Sequence, residues 1–329
     1  MNSLQWFQVI VSFALQATLV IGLAWGVERW TTCAVAKARV WSACFVSLLL
    51  LLAMGVLLPR IEWIHPWAGL GPKKLLAVAK VQLVLGECLL AIWTFGAGVM
   101  ISRWVIQFLS VRAFIAKCPE YPAEVQRRLR ERIPSDFGFP LDDRLSFRES
   151  PQELGPFCYQ FHQPLVFLPK TLVDGDGHEL EHVLRHELTH LQTQHPMQLF
   201  VQKLAQVVLW FHPLVWVSGR RSSLVREFVC DDAASGDAQS TASYLRTLLR
   251  LVESRAAAPG GSLMFGRSQS ELKLRARRLA FAVGRRRTPA AWAPVIVLAA
   301  ALVFSQLWLP TNPLASRHAR YSPWPSWTA

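Results

Sequence analysis

The sequence has 329 residues, 52% of them hydrophobic, and a formal net charge of +13; its mean hydropathy of +0.26 is high for a soluble protein. The length is sufficient for one or two domains with a substantial core. The basic charge is compatible with nucleic acid, anionic lipid or the cytoplasmic loops of a membrane protein. The six cysteines include no C-x-x-C pair, which argues against a disulfide framework or a thiolate zinc site.

Four apolar segments predict transmembrane helices. Each is close to the ~20 residues that a helix needs to cross the hydrocarbon core of a bilayer. The first lacks a basic start and a small-residue cleavage site, so we interpret it as a membrane span and not as a signal peptide. The four segments cover about residues 4–27, 40–58, 81–101 and 290–309.

The distribution of lysine and arginine predicts the orientation. Residues 1–27 contain neither, whereas the next loop carries Arg29, Lys37 and Arg39, which predicts that the N-terminus is outside. The basic residues of loop 59–80 conflict with this rule, but those that flank residues 102–289 place that segment in the cytoplasm. We therefore expect a multi-pass protein of a bacterial-type inner (cell) membrane.

These observations predict four regions. They are an N-terminal membrane domain (1–109), a cytoplasmic domain (110–289), a fourth transmembrane helix (290–309) and a short extracytoplasmic tail (310–329). Within the second region, a basic helix is predicted over 123–133, followed by strands over 145–149 and 157–168. The apolar stretch 198–217 is long enough for a fifth span. Its polar residues favour a helix that is buried in the domain or lies against the bilayer.

The sharpest chemical signal is an H-E-x-x-H motif, His186-Glu187-Leu188-Thr189-His190. On a helix, residues four apart share one face, so both imidazoles can bind one zinc ion. Zinc lowers the pKa of a bound water to about 7, and Glu187 can then act as the catalytic base. The same carboxyl group can return the proton to the leaving amine.

A third ligand is predicted at Glu227, because a catalytic zinc site needs three protein ligands and one open position. Glu227 follows His190 by 37 residues and shares a helical face with Asp231. We expect Asp231 to accept the spare ring N–H of a ligand histidine and so fix its tautomer. The alternative is that Glu227 forms an ordinary surface ion pair with Arg220 or Arg226.

The combined motifs HELTH, WFHPLVW and REFVCDDAA resemble those of the M56 peptidases, the family of BlaR- and MecR-type signal transducers. The resemblance extends over nearly all of residues 1–309. It implies a multi-pass α-helical membrane protein with a cytoplasmic α+β gluzincin-like zinc metallopeptidase domain and one Zn2+ per chain. Sensor members carry a penicillin-binding domain after the fourth span. This sequence ends about 20 residues beyond that span, so sensing of β-lactams by acylation is not expected.

The resemblance also implies a polypeptide substrate inside the cell, either a transcriptional repressor or the chain itself. An exposed edge strand within 158–168, with Phe161, Val166 and Phe167, is a candidate surface for binding that peptide. His212 is a candidate for a transition-state role or for a buried structural histidine. The basic cluster 273–287 is interpreted as contacting anionic lipid, with self-cleavage as a second hypothesis. Direct binding of nucleic acid is not expected, and a homodimer stays open.

Two other classes of protein remain as alternatives. One is a housekeeping membrane protease of the related M48 type, which degrades damaged membrane proteins. The other is a non-catalytic membrane receptor with a structural zinc ion. The presence of Glu187 argues against the receptor, because a structural site has no use for a base beside an open coordination position.

Overall fold

The fold is described from a computed structural model. The structure describes residues 3–57, 71–133, 144–151, 154–160, 163–236, 238–256, 269–282 and 292–307. These residues form eleven helices and one sheet of three strands.

Three N-terminal helices are long and apolar enough to cross a membrane, judged by length and composition. They are α1 (Ser3–Trp30), α2 (Ala34–Leu57) and α3 (Pro72–Lys117). The 46 residues of α3 extend over about 69 Å at 1.5 Å per residue, more than twice the thickness of a hydrocarbon core. This helix continues without a break across the predicted domain boundary at residues 109 and 110.

A fourth apolar helix, α11 (Trp292–Phe304), lies within the predicted span 290–309 and packs against α1 and α2. Its described length of 13 residues is about 20 Å, shorter than a full span. Residues 290, 291, 308 and 309 lie outside the described part of the chain.

The predicted basic helix and the predicted strands are confirmed. Helix α4 (Ala123–Glu131) precedes β1 (Ser146–Ser150), β2 (Phe157–Gln160) and β3 (Pro164–Pro169). The strand order is β1-β3-β2, with β3 parallel to β1 and antiparallel to β2. Strand β3 is buried along its whole length, which agrees with its continuous apolar sequence.

The prediction of an edge strand at Val166 and Phe167 is wrong. Both residues belong to β3, which lies in the centre of the sheet, and neither side chain is exposed. The error arises because β3 comes last along the chain but pairs on both sides. In the described sheet, β2 is the outer strand next to β3. Phe161, the third residue of that prediction, lies outside the described residues.

The remaining helices complete the domain. They are α5 (Lys170–Val173), α6 (Gly177–Gln192), α7 (His195–Val208), α8 (Pro213–Ser235), α9 (Ala238–Ala256) and α10 (Gln269–Ala282). The apolar stretch 198–217 is thus divided between α7 and α8, because Pro213 begins a new helix after a short turn. The 14 residues of α7 cover only about 21 Å, less than a bilayer requires.

Two hydrophobic cores organise the molecule. We call the first the membrane-side core; it contains residues of α1, α2, α7, α8 and α11. We call the second the sheet-side core; it contains residues of α4, β1, β3, α5 and α6. Helices α6 and α8 pack against each other. The face between these two helices is therefore where the two cores meet.

Candidate metal centre

Helix α6 carries the H-E-x-x-H motif and is well defined by its sequence. Asp176 caps its N-terminus by accepting a hydrogen bond from the backbone N–H of His178 at 3.0 Å. The apolar side chains recur with helical spacing and belong to the sheet-side core. His186 and Glu187 are both buried. The motif therefore faces the interior of the protein.

Helix α8 carries Glu227 and Asp231 and belongs to the membrane-side core. It begins at Pro213, which is favourable at the first position of a helix. Close packing on α7 depends on Gly219, where a Cβ atom would lie 2.3 Å from the Gln206 amide nitrogen. The Gln202 side chain donates to the Gly219 carbonyl at 3.2 Å. These contacts hold α8 beside α7.

The three predicted ligand residues converge in the structure. Glu227 Oε2 lies 3.5 Å from His186 Nε2, and the other carboxylate oxygen, Oε1, lies 3.7 Å from His190 Nε2. Two ligand atoms on one tetrahedral zinc ion, each about 2.0–2.2 Å from the metal, lie about 3.3–3.6 Å apart. The observed separations are close to this range. Nitrogen and carboxylate oxygen are also donors that zinc accepts.

Each motif histidine uses its other ring nitrogen for a contact with the protein. His186 Nδ1 lies 2.9 Å from the Tyr244 hydroxyl group, and His190 Nδ1 lies 2.9 Å from His195 Nδ1. Because the Tyr244 hydroxyl donates to Asp231 Oδ1 at 2.7 Å, it can only accept from His186. The proton of His186 is thereby assigned to Nδ1, and the lone pair of Nε2 faces Glu227.

His195 is the partner of His190 Nδ1, as Tyr244 is the partner of His186 Nδ1. Burial, with a smaller contribution from the charge of Arg226, lowers the pKa of His195 to about 3. The ring is therefore neutral near pH 7, and its Nδ1 can accept the Nδ1–H of His190. The lone pair of His190 Nε2 is then directed toward Glu227.

The prediction for Asp231 needs one change. Its Oδ1 is 3.6 Å from His186 Nδ1, too far for a hydrogen bond. The Tyr244 hydroxyl lies between them and bonds to both. Asp231 is completely buried and acts on His186 through this tyrosine.

A buried arginine joins the carboxylates of α8. Arg275 of α10 is 2% exposed, lies 2.9 Å from Glu227 Oε2 and donates from Nε to Asp231 Oδ2 at 2.9 Å. Burial opposes its charge, but Glu227 and Asp231 raise the pKa of Arg275 well above its usual value. Within the cluster 273–287, Arg275 therefore belongs to the candidate site and Arg278 pairs with Asp232. Residues 283–287 lie outside the described residues, and contact of the cluster with lipid stays a prediction.

Cys230 is an alternative third ligand. One donor atom each from His186, His190 and Cys230 lie within 4.8 Å of one another. Burial, and then the charges of Glu227 and Glu187, raise the pKa of the Cys230 thiol well above its usual value. We favour Glu227, because its two carboxylate oxygens lie 3.5 and 3.7 Å from the Nε2 atoms, whereas a cysteine binds zinc only as the thiolate, which burial of Cys230 disfavours.

Two further histidines have contacts with the main chain. His212 is buried and its Nε2 lies 3.2 Å from the Ala14 carbonyl and 3.1 Å from the Thr18 hydroxyl, both on α1. This fits the structural interpretation of His212. His182 lies 3.0 Å from the Ala234 carbonyl through its Nδ1. This bond ties α6 to the end of α8.

A comparison with known protein families supports a metallopeptidase site. The family model described as BlaR1 peptidase M56 matches residues 73–279, more than half of the chain. The chain therefore belongs to the M56 peptidase family, as the sequence motifs indicated, and membership of this family implies a metallopeptidase. Among curated proteins, none matches this chain.

Proposed function

We propose that this protein is a membrane-embedded zinc endopeptidase that cleaves a cytoplasmic protein, either a transcriptional repressor or the chain itself, in signal transduction. One observation carries the proposal. The Nε2 atoms of both motif histidines face the carboxylate of Glu227, while protein partners occupy both Nδ1 atoms. This arrangement supports His186, His190 and Glu227 as the ligands.

The chemistry follows from the residues around that site. Zinc, when bound, supplies a Lewis acid that polarises the scissile carbonyl group and makes water a better nucleophile near pH 7. Glu187 would accept one proton from the water that attacks the carbonyl carbon. It would return that proton to the amine nitrogen as the C–N bond breaks. Peptide bond and water are thus converted into a carboxylate product and an amine.

The position of the site supports a substrate near the membrane. Helix α8 shares the membrane-side core with α1, α2 and α11. Helix α7, which begins beside His190, also contacts α3 and exposes Met197 and Phe200. One ligand-bearing helix, α8, is therefore packed directly on helices that can span a bilayer. The predicted orientation, with this part of the chain in the cytoplasm, belongs to the same proposal.

We propose that the substrate binds as an extended strand beside β2. Strand β2 is the outer strand next to β3, and α6 packs against it. Cys158 of β2 packs against the sheet-side core, which also contains the apolar face of α6. Main-chain pairing with an edge strand holds a peptide extended, which presents its bonds to the site.

The first experiment compares the wild type with Glu187→Ala in membranes. Zinc is measured by elemental analysis, and new peptide termini are mapped by mass spectrometry. We expect equal zinc in both proteins and new termini in the wild type alone, whose sequences identify the substrate. Termini that arise from many unfolded membrane proteins would instead indicate a housekeeping protease. Equal zinc with identical termini would contradict an endopeptidase.

The second experiment tests the strand. A photoreactive amino acid is placed at Gln160 of β2 or, as a control, at Ser146 of β1, in the Glu187→Ala background. We expect the identified substrate to be crosslinked from position 160 and not from position 146. Equal crosslinking from both positions, or crosslinking from 146 alone, would exclude β2 as the binding edge.

A further inference from the structure

Two residues of the site come from helices that carry no predicted ligand. Tyr244 lies on α9 and Arg275 on α10, whereas the predicted ligands lie on α6 and α8. Tyr244 is 3% exposed and Arg275 is 2% exposed. Long polar side chains are rarely buried to this extent unless every polar group finds a partner. Their contacts therefore merit a specific explanation.

Arg275 contacts both carboxylates of α8. Its Nη1 lies 2.9 Å from Glu227 Oε2, and its Nε donates to Asp231 Oδ2 at 2.9 Å. A guanidinium group is planar and presents its N–H donors in a rigid fork, so contacts with two carboxylates restrict the rotation of both. The Glu227 side chain is thereby held with its carboxylate toward the histidines.

Tyr244 continues these contacts to α6. Its hydroxyl donates to Asp231 Oδ1 at 2.7 Å, lies 2.9 Å from His186 Nδ1 and accepts from Arg275 at 3.3 Å. The tyrosine thus fixes both the tautomer and the orientation of the His186 ring. Hydrogen bonds from His186 through Tyr244 and Asp231 to Arg275, together with the ion pair of Arg275 and Glu227, link a nitrogen ligand on α6 with a carboxylate ligand on α8.

We infer that Arg275 and Tyr244 are positioning residues of the metal site, which orient Glu227 and His186 for zinc. This inference rests on the proposed function, because it requires these residues to be ligands. It also makes a prediction opposite to that of simple electrostatics. Removal of a cation next to a metal site increases the attraction for Zn2+, whereas loss of ligand orientation decreases the affinity.

Two residues outside the site supply matched controls. Arg278 lies one turn after Arg275 on α10 and pairs with Asp232, beside Asp231 in sequence, but its partner is 46% exposed. Loss of Arg278 therefore tests the docking of α10 without touching the site. Tyr121 is a buried tyrosine whose hydroxyl donates to the Leu168 carbonyl at 2.9 Å. Tyr121→Phe tests the loss of a buried hydroxyl group elsewhere.

The experiment measures zinc affinity of the full-length protein in detergent, by competition with a chromogenic chelator. The variants are Arg275→Ala, Arg275→Lys, Tyr244→Phe, Arg278→Ala and Tyr121→Phe. We expect affinity to fall by about 10- to 100-fold in Arg275→Ala and Tyr244→Phe. Lysine should restore part of it, because it keeps the charge without the fork. The visible spectrum of the Co2+-loaded protein should change in the same two variants, while both controls match the wild type.

The outcomes separate the inference from the proposed function. Tyr244→Phe keeps the aromatic ring, so a folding defect of Arg275→Ala does not remove the test. Zinc affinity in Arg275→Ala and Tyr244→Phe that equals or exceeds that of the wild type would overturn the inference and leave the proposed function standing. A wild-type protein that binds no zinc would overturn the proposed function, and the inference with it.

Discussion

The two cores of this molecule are built in different ways. The membrane-side core joins the apolar helices α1, α2 and α11 to α7 and α8, with polar ties such as the pair of Glu28 and Arg221. The sheet-side core packs the apolar face of α6 on a small sheet and on α4, whose other face is charged. One core is suited to lipid and the other to water.

The candidate metal centre lies where these two cores meet. Its histidines belong to a helix of the sheet-side core, and its carboxylates belong to a helix of the membrane-side core. Neither core contains the whole set of ligands. The site therefore depends on the contact between the membrane-side core and the sheet-side core. Each core can be disturbed separately by mutation.

The largest expected effect comes from truncating one phenylalanine in each core. Phe147 of β1 and Phe45 of α2 are 0% and 1% exposed. Phe147→Ala should lower the free energy of unfolding by about 3–5 kcal/mol. Phe45→Ala should cost less, about 1–2 kcal/mol, because lipid offers an apolar environment and only packing is lost. Denaturation in detergent micelles, monitored by circular dichroism, measures both.

The difference between the two truncation costs shows which environment the Phe45 side chain leaves when the protein folds. Equal costs for the two truncations would mean that the Phe45 side chain leaves a watery environment on folding, as in a soluble core. The membrane-side core would then need another explanation for its apolar helices.

Removal of zinc should weaken the contact between the two cores. If the ion joins α6 to α8, it stabilises the folded state by about 2.7 kcal/mol at a free concentration 100 times its dissociation constant. We expect chelation to lower the melting temperature. Hydrogen exchange should rise in α6 and α8 before it rises in β3. A protein that melts and exchanges identically with and without chelator would show that no metal connects these helices.

A third effect is expected at the polar tie of the membrane-side core. Glu28 accepts from Arg221 Nε at 2.9 Å and from Trp41 Nε1 at 3.1 Å, which joins α1, α2 and α8. Glu28→Ala should cost about 1.5–3 kcal/mol, because charge-assisted hydrogen bonds are lost. Arg29 is next in sequence and exposed, so Arg29→Ala should stay within about 0.5 kcal/mol of the wild type. Thermal unfolding of both variants provides the measurement, and equal destabilisation would refute the role of Glu28.

Local patterns in the sequence predicted the elements on which the motif lies. The helix of His186 and His190, the basic helix α4 and the two strand segments 145–149 and 157–168 follow from spacing and composition over a few residues. The division of the second segment into β2 and β3 was not predicted. The spacing of Glu227 and Asp231 likewise placed them on one helical face. These features depend on interactions between near neighbours, which the linear sequence records directly.

The remainder depends on packing between distant segments. Tyr244 reaches His186 across 58 positions and Arg275 reaches Asp231 across 44, and no local pattern distinguishes either residue from its neighbours. The order of the sheet was misjudged for the same reason, because pairing of β3 with β1 depends on tertiary structure. The break between α7 and α8 is indicated in the sequence by Pro213, because the residue before a proline rarely adopts the α-helical backbone conformation.

The most direct test of the proposed ligand set, two histidines of α6 and Glu227 of α8, is the zinc content of Glu227→Gln and Cys230→Ser, which differ only in the third ligand that they remove. Both variants are purified in detergent with the wild type, and zinc per chain is determined by elemental analysis after dialysis. We predict one zinc ion per chain in the wild type and in Cys230→Ser, and its loss in Glu227→Gln. Retention of zinc in Glu227→Gln together with its loss in Cys230→Ser would contradict this account.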